Sequence, residues 1–327
     1  MADLRSSYMG IQLKNPIIVS SSHLTSSLDK ILECDQAGAG AIVLKSLFEE
    51  QILADTKEDL EGVNLLAHAD AMDFFQGMGK KKNLEEYLEI LRDAKAKVSC
   101  PLIASLNCVT TGSWLNYADK LEEAGADALE LNFFILPVNF KQNSEEIENR
   151  YMALYKEVQK RVKIPIAMKL GSYFSSLAQL AQKLSNAGVN GLVFFNRFYR
   201  PDININTMEL KTGKILSEPI EISQTLHWTA LLSGRVRADI ASNTGIHDGE
   251  ALIKVLLAGA SAAQICSTLS KNGLSYISTM LKDLEIWMNK NNFPSVADFQ
   301  GKLASENIDN PEFYERAQYI RAIAGLG

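Results

Sequence analysis

Ala241 to Gly273 reads ASNTGIHDGEALIKVLLAGASAAQICSTLSKNG, and this stretch decides the fold. A short apolar strand runs into Ser242-Asn243-Thr244-Gly245, a helix follows, a second strand starts right after Ala258-Gly259-Ala260, and Cys266-Ser267-Thr268 opens the next helix. The small residues of the first turn let backbone N–H groups approach an anion, and the second turn brings a helix N-terminus. Two such turns in succession suggest one phosphate held between them, and hence a phosphate-bearing cofactor. In (β/α)8 barrels a phosphate commonly sits on the loops after strands seven and eight, which is where this segment falls. Two ordinary βα loops would read the same way.

Outward from that segment the same unit recurs. β-branched or apolar runs at Pro16–Ser20, Ala41–Lys45, Pro101–Leu106, Ala128–Asn132, Pro165–Lys169, Gly191–Phe195, Ala238–Ser242 and Ala262–Cys266 alternate with helical patterns. Several strands follow a helix-ending glycine at once, as in Glu123-Ala124-Gly125-Ala126-Asp127 and Ala187-Gly188-Val189. Near-continuous apolar strands between amphipathic helices imply a parallel sheet covered by helices. Eight of them in 327 residues predict an α/β fold, a closed (β/α)8 TIM barrel forming one domain over 1–327; a doubly wound open sheet is the alternative. Two stretches exceed a normal βα loop, Leu47 to Asn83 after strand 2 and Arg197 to Gly234 after strand 6, and are expected to form a substrate lid and wall. The tail over 293–327 is expected to be helical and to pack under the barrel or on a second subunit.

With 46% hydrophobic and 22% charged residues and no low-complexity tract, the chain can bury a full core. A net charge of −6, with Lys80-Lys81-Lys82 as the one basic run, argues against a nucleic-acid surface. The opening MADLRSSYMGIQLKNP lacks the apolar run of a signal peptide, and no segment has the ~18 uninterrupted apolar residues of a membrane span, so a soluble, cytoplasmic protein is expected. Cys34, Cys100, Cys108 and Cys266 are scattered without a CxxC pair, which predicts free thiols and no metal site.

Polar residues recur where strands should finish: Lys45, Asn107, Asn132, Lys169 and Asn196. An inward lysine on a barrel strand is costly unless it faces an anion, so Lys45 and Lys169 imply a buried negative partner such as an electron-rich cofactor. A structural salt bridge would satisfy either lysine equally well. The three asparagines suit a planar polar ligand, an amide, imide or carboxylate, although each could merely tie down a loop.

In this order and spacing the residues carry a resemblance. Asn15-Pro16 before Ser20-Ser21-Ser22, then Lys45-Ser46, Glu130-Leu131-Asn132, Lys169-Leu170, Thr244-Gly245-Ile246, Gln264-Ile265-Cys266-Ser267 and the late Ser295–Gly301 stretch are similar to the dihydroorotate dehydrogenase family of flavin-mononucleotide (FMN) barrels, almost end to end. The resemblance implies that the turns Asn243-Thr244-Gly245 and Cys266-Ser267-Thr268 hold the FMN phosphate and that Ser20 and Ser21 flank the isoalloxazine. Lys45, Ser46 and Asn107 would lie near the ring, Lys169 near its N1/O2 edge, and Asn132 and Asn196 would face the substrate. In the family's reaction a base takes a proton from one substrate carbon while hydride from its neighbour passes to the flavin. The resemblance also implies a homodimer. With neither a membrane-docking helix nor a cysteine cluster, it leaves a soluble electron acceptor or a separate electron-transfer partner.

The pattern breaks on the substrate side. Soluble members carry a cysteine three residues after the asparagine, and membrane-bound members a serine on the same lid loop; here Asn132-Phe133-Phe134-Ile135-Leu136-Pro137 puts Ile135 there, which cannot accept a proton. The family's substrate loop is also absent from Leu47–Asn83. Substitute bases are Cys108, His68, Tyr199 and Arg200; Cys108 equally reads as a buried thiol and His68 as an exposed helix residue. The leading expectation is an FMN-dependent oxidoreductase acting on a CH–CH bond of a small polar ring compound, anionic or neutral, dihydroorotate to orotate if the family activity is retained. Competing readings are an FMN enzyme for another ring substrate, a flavin-binding subunit or regulator without its own turnover, and a phosphosugar barrel that uses the same phosphate position.

Overall fold

The computed structural model describes residues 2–49, 51–52, 84–108, 112, 115–133, 135–197 and 200–325. Thirteen strands are formed among them. The first two, β1 (Ser6–Tyr8) and β2 (Ile11–Leu13), make an antiparallel hairpin. Then come β3 (Ile17–Val19), β4 (Ala41–Val43), the short β5 (Leu47–Phe48), β6 (Leu102–Asn107), β7 (Ala128–Asn132), β8 (Ile166–Leu170), β9 (Gly191–Phe194), a hairpin of β10 (Asp202–Asn204) and β11 (Glu209–Lys211), β12 (Asp239–Asn243) and β13 (Ala262–Ile265). The strands β3, β4, β6, β7, β8, β9, β12 and β13 pair in parallel, each with the next. Closure comes from β13 pairing back on β3, with Gln264 opposite Ile18. The barrel is therefore closed, and the open-sheet alternative falls away. Helices surround it, and no helix among the described residues is long and apolar enough to cross a membrane.

Inside and outside follow from the two-residue period of a strand. Ile18, Val43, Ile103, Ala128, Ala167, Val193, Ala241 and Ala262 cluster in the barrel interior with Tyr8, Met9 and Leu13 of the β1–β2 hairpin. Small alanines leave room for that hairpin to plug the N-terminal end. Gly191 makes the same allowance: a Cβ there would lie 2.6 Å from the Tyr8 hydroxyl. The intervening side chains, such as Val19, Ile42, Ala104, Leu129, Met168 and Leu192, point outward into a second, larger core shared with the helices. Burial on both faces explains why these strands read as continuous apolar runs.

Three expectations need correction. The stretch Arg197–Gly234 is not loop throughout: it holds the β10–β11 hairpin, a 3-10 turn at Pro219–Glu221 and the helix Ile222–Leu232, which packs on β12 through Thr225 and Thr229 hydroxyls bonded to Asn243 O (2.7 Å) and Ser242 Oγ (2.8 Å). Its buried residues are Thr225, Thr229, Ala230 and Leu232, and the two threonines weaken the hydrophobic stripe that marks a helix in sequence. The tail is largely irregular, with an α-helix only at Arg316–Ala324; Phe299, fully buried against Trp287, and bonds from Gly301 and Leu303 N–H to Leu256 and Leu257 carbonyls anchor it to the barrel's helices. The third concerns Lys45. Val43 pairs with Ile103 and Leu47 with Leu106, so the chain takes four steps where its neighbour takes three. The extra residue is absorbed as the Lys45 N–H bonds Thr25 O (3.1 Å) and the Ser46 N–H bonds Ser21 Oγ (2.9 Å). This bulge leaves Lys45 exposed rather than buried against an anion.

Candidate functional site

All the sequence-predicted residues except Tyr199, which lies outside the described residues together with His68, Phe134 and most of Leu47–Asn83, fall at or just past the C-terminal ends of barrel strands. Period two then carries polar chemistry one layer deeper. Two residues below Asn132 stands Glu130, two below Asn107 stands Ser105, and two below Cys266 stands Gln264; each is at most 1% exposed. Lys169, 4% exposed, reaches into this layer. Its Nζ lies 3.5 Å from Glu130 Oε1, 3.4 Å from Gln264 Oε1 and 3.3 Å from Ser20 Oγ. Gln264 Nε2 donates to Glu130 Oε2 (2.5 Å), and Ser20 Oγ donates to Gln264 Oε1 (3.2 Å). The anionic partner that burial of Lys169 demands is thus a protein carboxylate. Beside it, hydroxyls link Ser21 to Ser46 (3.0 Å) and Ser46 to Ser105 (2.8 Å). Glu130, Gln264 and Ser105 were not read from sequence as site residues, although the inward alternation that singles out Asn132, Cys266 and Asn107 points to them.

The two phosphate-type turns lie side by side on adjacent strands. Thr244 and Gly245 both have φ of 79°. Asn243 Nδ2 and Thr244 Oγ1 donate to Phe195 O (2.8 and 3.2 Å), so both side chains tie the turn to the end of β9. Behind it, Asp248 caps the helix Gly249–Leu257 by accepting the Ala251 N–H (2.8 Å). In the second turn Thr268, fully buried, donates to His247 O (2.8 Å), so that hydroxyl is committed within the protein. Ser267 Oγ accepts the Ser217 N–H (2.9 Å), Ser217 Oγ meets His247 Nε2 (3.0 Å), and Lys271 Nζ donates to Ser217 O (2.9 Å). Ser217, His247 and Lys271 therefore clamp the two turns together. Burial first, and Lys271 second, hold the His247 imidazole below its ordinary pKa.

On the substrate-predicted side, Asn196 Nδ2 donates to Asn132 Oδ1 (2.6 Å), joining the ends of β7 and β9 across β8. A cavity of about 360 Å3 opens beside Asn196, lined among others by Tyr173, Arg197, Arg200, Lys214 and Glu221. Three of its four charged side chains are cationic. Arg197 is engaged by Glu221 (2.8 Å) and Lys214 by Glu218 (2.5 Å), whereas Arg200 meets the Tyr173 hydroxyl (3.3 Å) and no carboxylate among the described residues. Ile135 packs on the outer core. Cys108 is fully buried in that same outer core. Tyr151, close to the same loop, is pushed up by burial and donates to Phe133 O (3.2 Å), so its hydroxyl is committed within the protein.

A closed parallel barrel with buried charge and paired anion-type turns at its C-terminal face defines an α/β-barrel enzyme. The sequence profile of the dihydroorotate dehydrogenase family matches residues 3–288, and the chain belongs to that family of oxidoreductases. It is 25% identical over 304 residues to the dihydroorotate dehydrogenase B (NAD+) catalytic subunit of Thermoplasma acidophilum, covering 92% of this chain and 99% of that protein. It is 24% identical to dihydroorotate dehydrogenase A (fumarate) of Lactococcus lactis, over 92% of this chain and 99% of that one. Chloroplastic dihydropyrimidine dehydrogenase (NADP+) of Arabidopsis thaliana is 19% identical over 91% of this chain and 76% of its own length.

Proposed function

We propose that the protein is an FMN-dependent oxidoreductase, acting as one barrel on a CH–CH bond of a small, polar, acidic ring compound. What supports this is the contrast between the two sides of the rim. The cofactor side keeps two clamped anion-type turns beside Lys271 and a Lys169 fixed in the interior, residues suited to a flavin phosphate and ring. The substrate side keeps Asn132 and Asn196 but has Ile135 packed where the family places its proton acceptor.

FMN, when bound, supplies the hydride acceptor. The remaining work falls to this chain. Backbone N–H groups of 243–245 and 266–268 and the Ser267 hydroxyl would hold its phosphate, with Lys271 adding positive charge. Ser20, Ser21, Ser46 and Asn107 would line the ring, and Lys169 would present its charge to the flavin. Asn132 and Asn196 bind the polar edge of the substrate, and the Arg200–Tyr173 cavity admits an acidic group. A second copy of the chain and a soluble acceptor or electron-transfer protein are the proposed partners. Ile135, and dihydropyrimidine dehydrogenase among the relatives, favour a second reading in which the ring is a pyrimidine other than dihydroorotate, reduced rather than oxidised.

The test is to purify the protein, identify FMN by its spectrum, and add L-dihydroorotate without oxygen. Bleaching of the flavin establishes dihydroorotate oxidation. A flavin that stays oxidised but is reduced by dithionite keeps the cofactor and moves the substrate to the second reading. A protein that neither carries nor binds FMN overturns both.

A further inference from the structure

We propose that Glu130 is a positioning residue that fixes Lys169 and, through its own charge, sets the reduction potential of the flavin above it; this rests on the FMN reading. On β7 and β8 Asn132 stands level with Lys169, and Glu130 is level with Ala167, one inward layer lower. Lys169 thus extends from the rim layer with a carboxylate beneath it. A lysine carries four flexible carbons, and nothing in its own strand would hold its ammonium in one place. Here Ser20 Oγ and Gln264 Oε1 accept from it at 3.3 and 3.4 Å, and Glu130 Oε1 stands 3.5 Å away as its ion-pair partner.

Gln264 makes the arrangement directional. Its Nε2 donates to Glu130 Oε2, which turns its Oε1 toward Lys169 and Ser20. The carboxylate therefore orients the amide, and the amide and carboxylate together orient the ammonium. Glu130 Oε1 takes no hydrogen bond, and the hydroxyl of Tyr8, 1% exposed, has no partner either. Lys169 is thus the one described cation within ion-pair distance of Glu130, and the carboxylate screens the positive charge that the flavin edge would meet. In a site this dry, that screening acts at short range with little help from water.

Removing the negative charge should leave Lys169 uncompensated, stabilise the reduced, anionic flavin and raise the potential. In Glu130→Gln the ratio of reduced to oxidised flavin at a fixed potential is expected to rise roughly tenfold, about 30 mV for a two-electron couple. Glu130→Asp, which keeps the charge but draws it back by one carbon, should shift the ratio the same way by roughly threefold. The potential is read by dye equilibration of the purified holoprotein, with FMN content measured on the same sample. An unchanged or lowered potential in Glu130→Gln with FMN retained overturns the proposal and leaves the cofactor reading intact. Should that variant not fold, an unchanged potential in Glu130→Asp overturns it instead. A wild-type protein that retains no FMN counts against the cofactor reading and removes the ground for this proposal with it.

Discussion

Gly245→Ala probes how the first anion-type turn is held. A Cβ at this position would lie 2.5 Å from Ile222 Cα and 2.7 Å from the Glu221 carbonyl carbon, and closer still to the Ile222 nitrogen. These are backbone atoms at the start of the helix Ile222–Leu232, and they cannot rotate aside. The φ of 79° adds a left-handed penalty of about 1–2 kcal/mol for alanine. Overpacking against fixed neighbours adds roughly 1–3 kcal/mol. The sum, about 2–5 kcal/mol, is a large share of a typical stability of ~5–15 kcal/mol. An unfolding entropy of about 2.1 cal/mol/K per residue over 327 residues makes 1 kcal/mol worth roughly 1.5 °C, so Tm should fall by about 3–7 °C. Thermal unfolding followed by circular dichroism, with and without excess FMN, measures this, and the FMN dissociation constant should rise as the turn is displaced. Thr244→Gly is the paired control. It relieves the same φ of 79° and loses the bond from Thr244 Oγ1 to Phe195 O, two effects of ~1 kcal/mol and opposite sign, so its Tm should stay within about 2 °C of wild type. A Gly245→Ala protein with wild-type Tm would refute the packing argument.

Ile135→Cys should raise turnover of dihydroorotate by ~100-fold or more if that is the substrate, since a placed proton acceptor is commonly worth that much; unchanged turnover means that another residue serves as base. Arg200→Gln should raise KM for an acidic ring substrate roughly tenfold while leaving a neutral analogue of the same ring unaffected, because a charge-assisted bond to a carboxylate is worth about 1.5–3 kcal/mol; equal effects on both would rule out anion recognition by the cavity. His247 makes stability depend on pH. Its folded pKa lies below its ordinary 6.5, so the unfolded chain binds more protons just below that pH; its contribution is full above about 6.5 and is lost as pH falls toward the folded value. Urea midpoints at pH 7.5 and 5.5 should therefore differ less in His247→Gln than in wild type, and an undiminished difference would assign the acid sensitivity elsewhere.

What could be read locally was read well. Strand positions rest on short apolar runs and helix-ending glycines a few residues apart, and β7, predicted at Ala128–Asn132, occupies those same residues. The rim residues follow equally, because a polar residue at the end of an apolar run marks the end of a strand. The helix Ile222–Leu232 is hard to read because two of its four buried residues are threonines, satisfied by bonds to β12 that only the fold supplies. Lys45 was misread because alternation assumes a regular strand, and the register shift against β6 turns it out to solvent.

The sequence by itself determined the repeating strand–helix unit, the eight strands and the polar residues at their C-terminal ends, since each depends on interactions within one turn or one strand. Tertiary structure alone decided that the ring closes through β13 on β3, and that Ser20, Glu130, Lys169 and Gln264 meet inside it. Glu130 and Gln264 are 134 residues apart, and Lys169 and Ser20 are 149 apart. No local periodicity spans such distances. A buried ammonium declares that it needs a partner, but only barrel closure selects which carboxylate it receives.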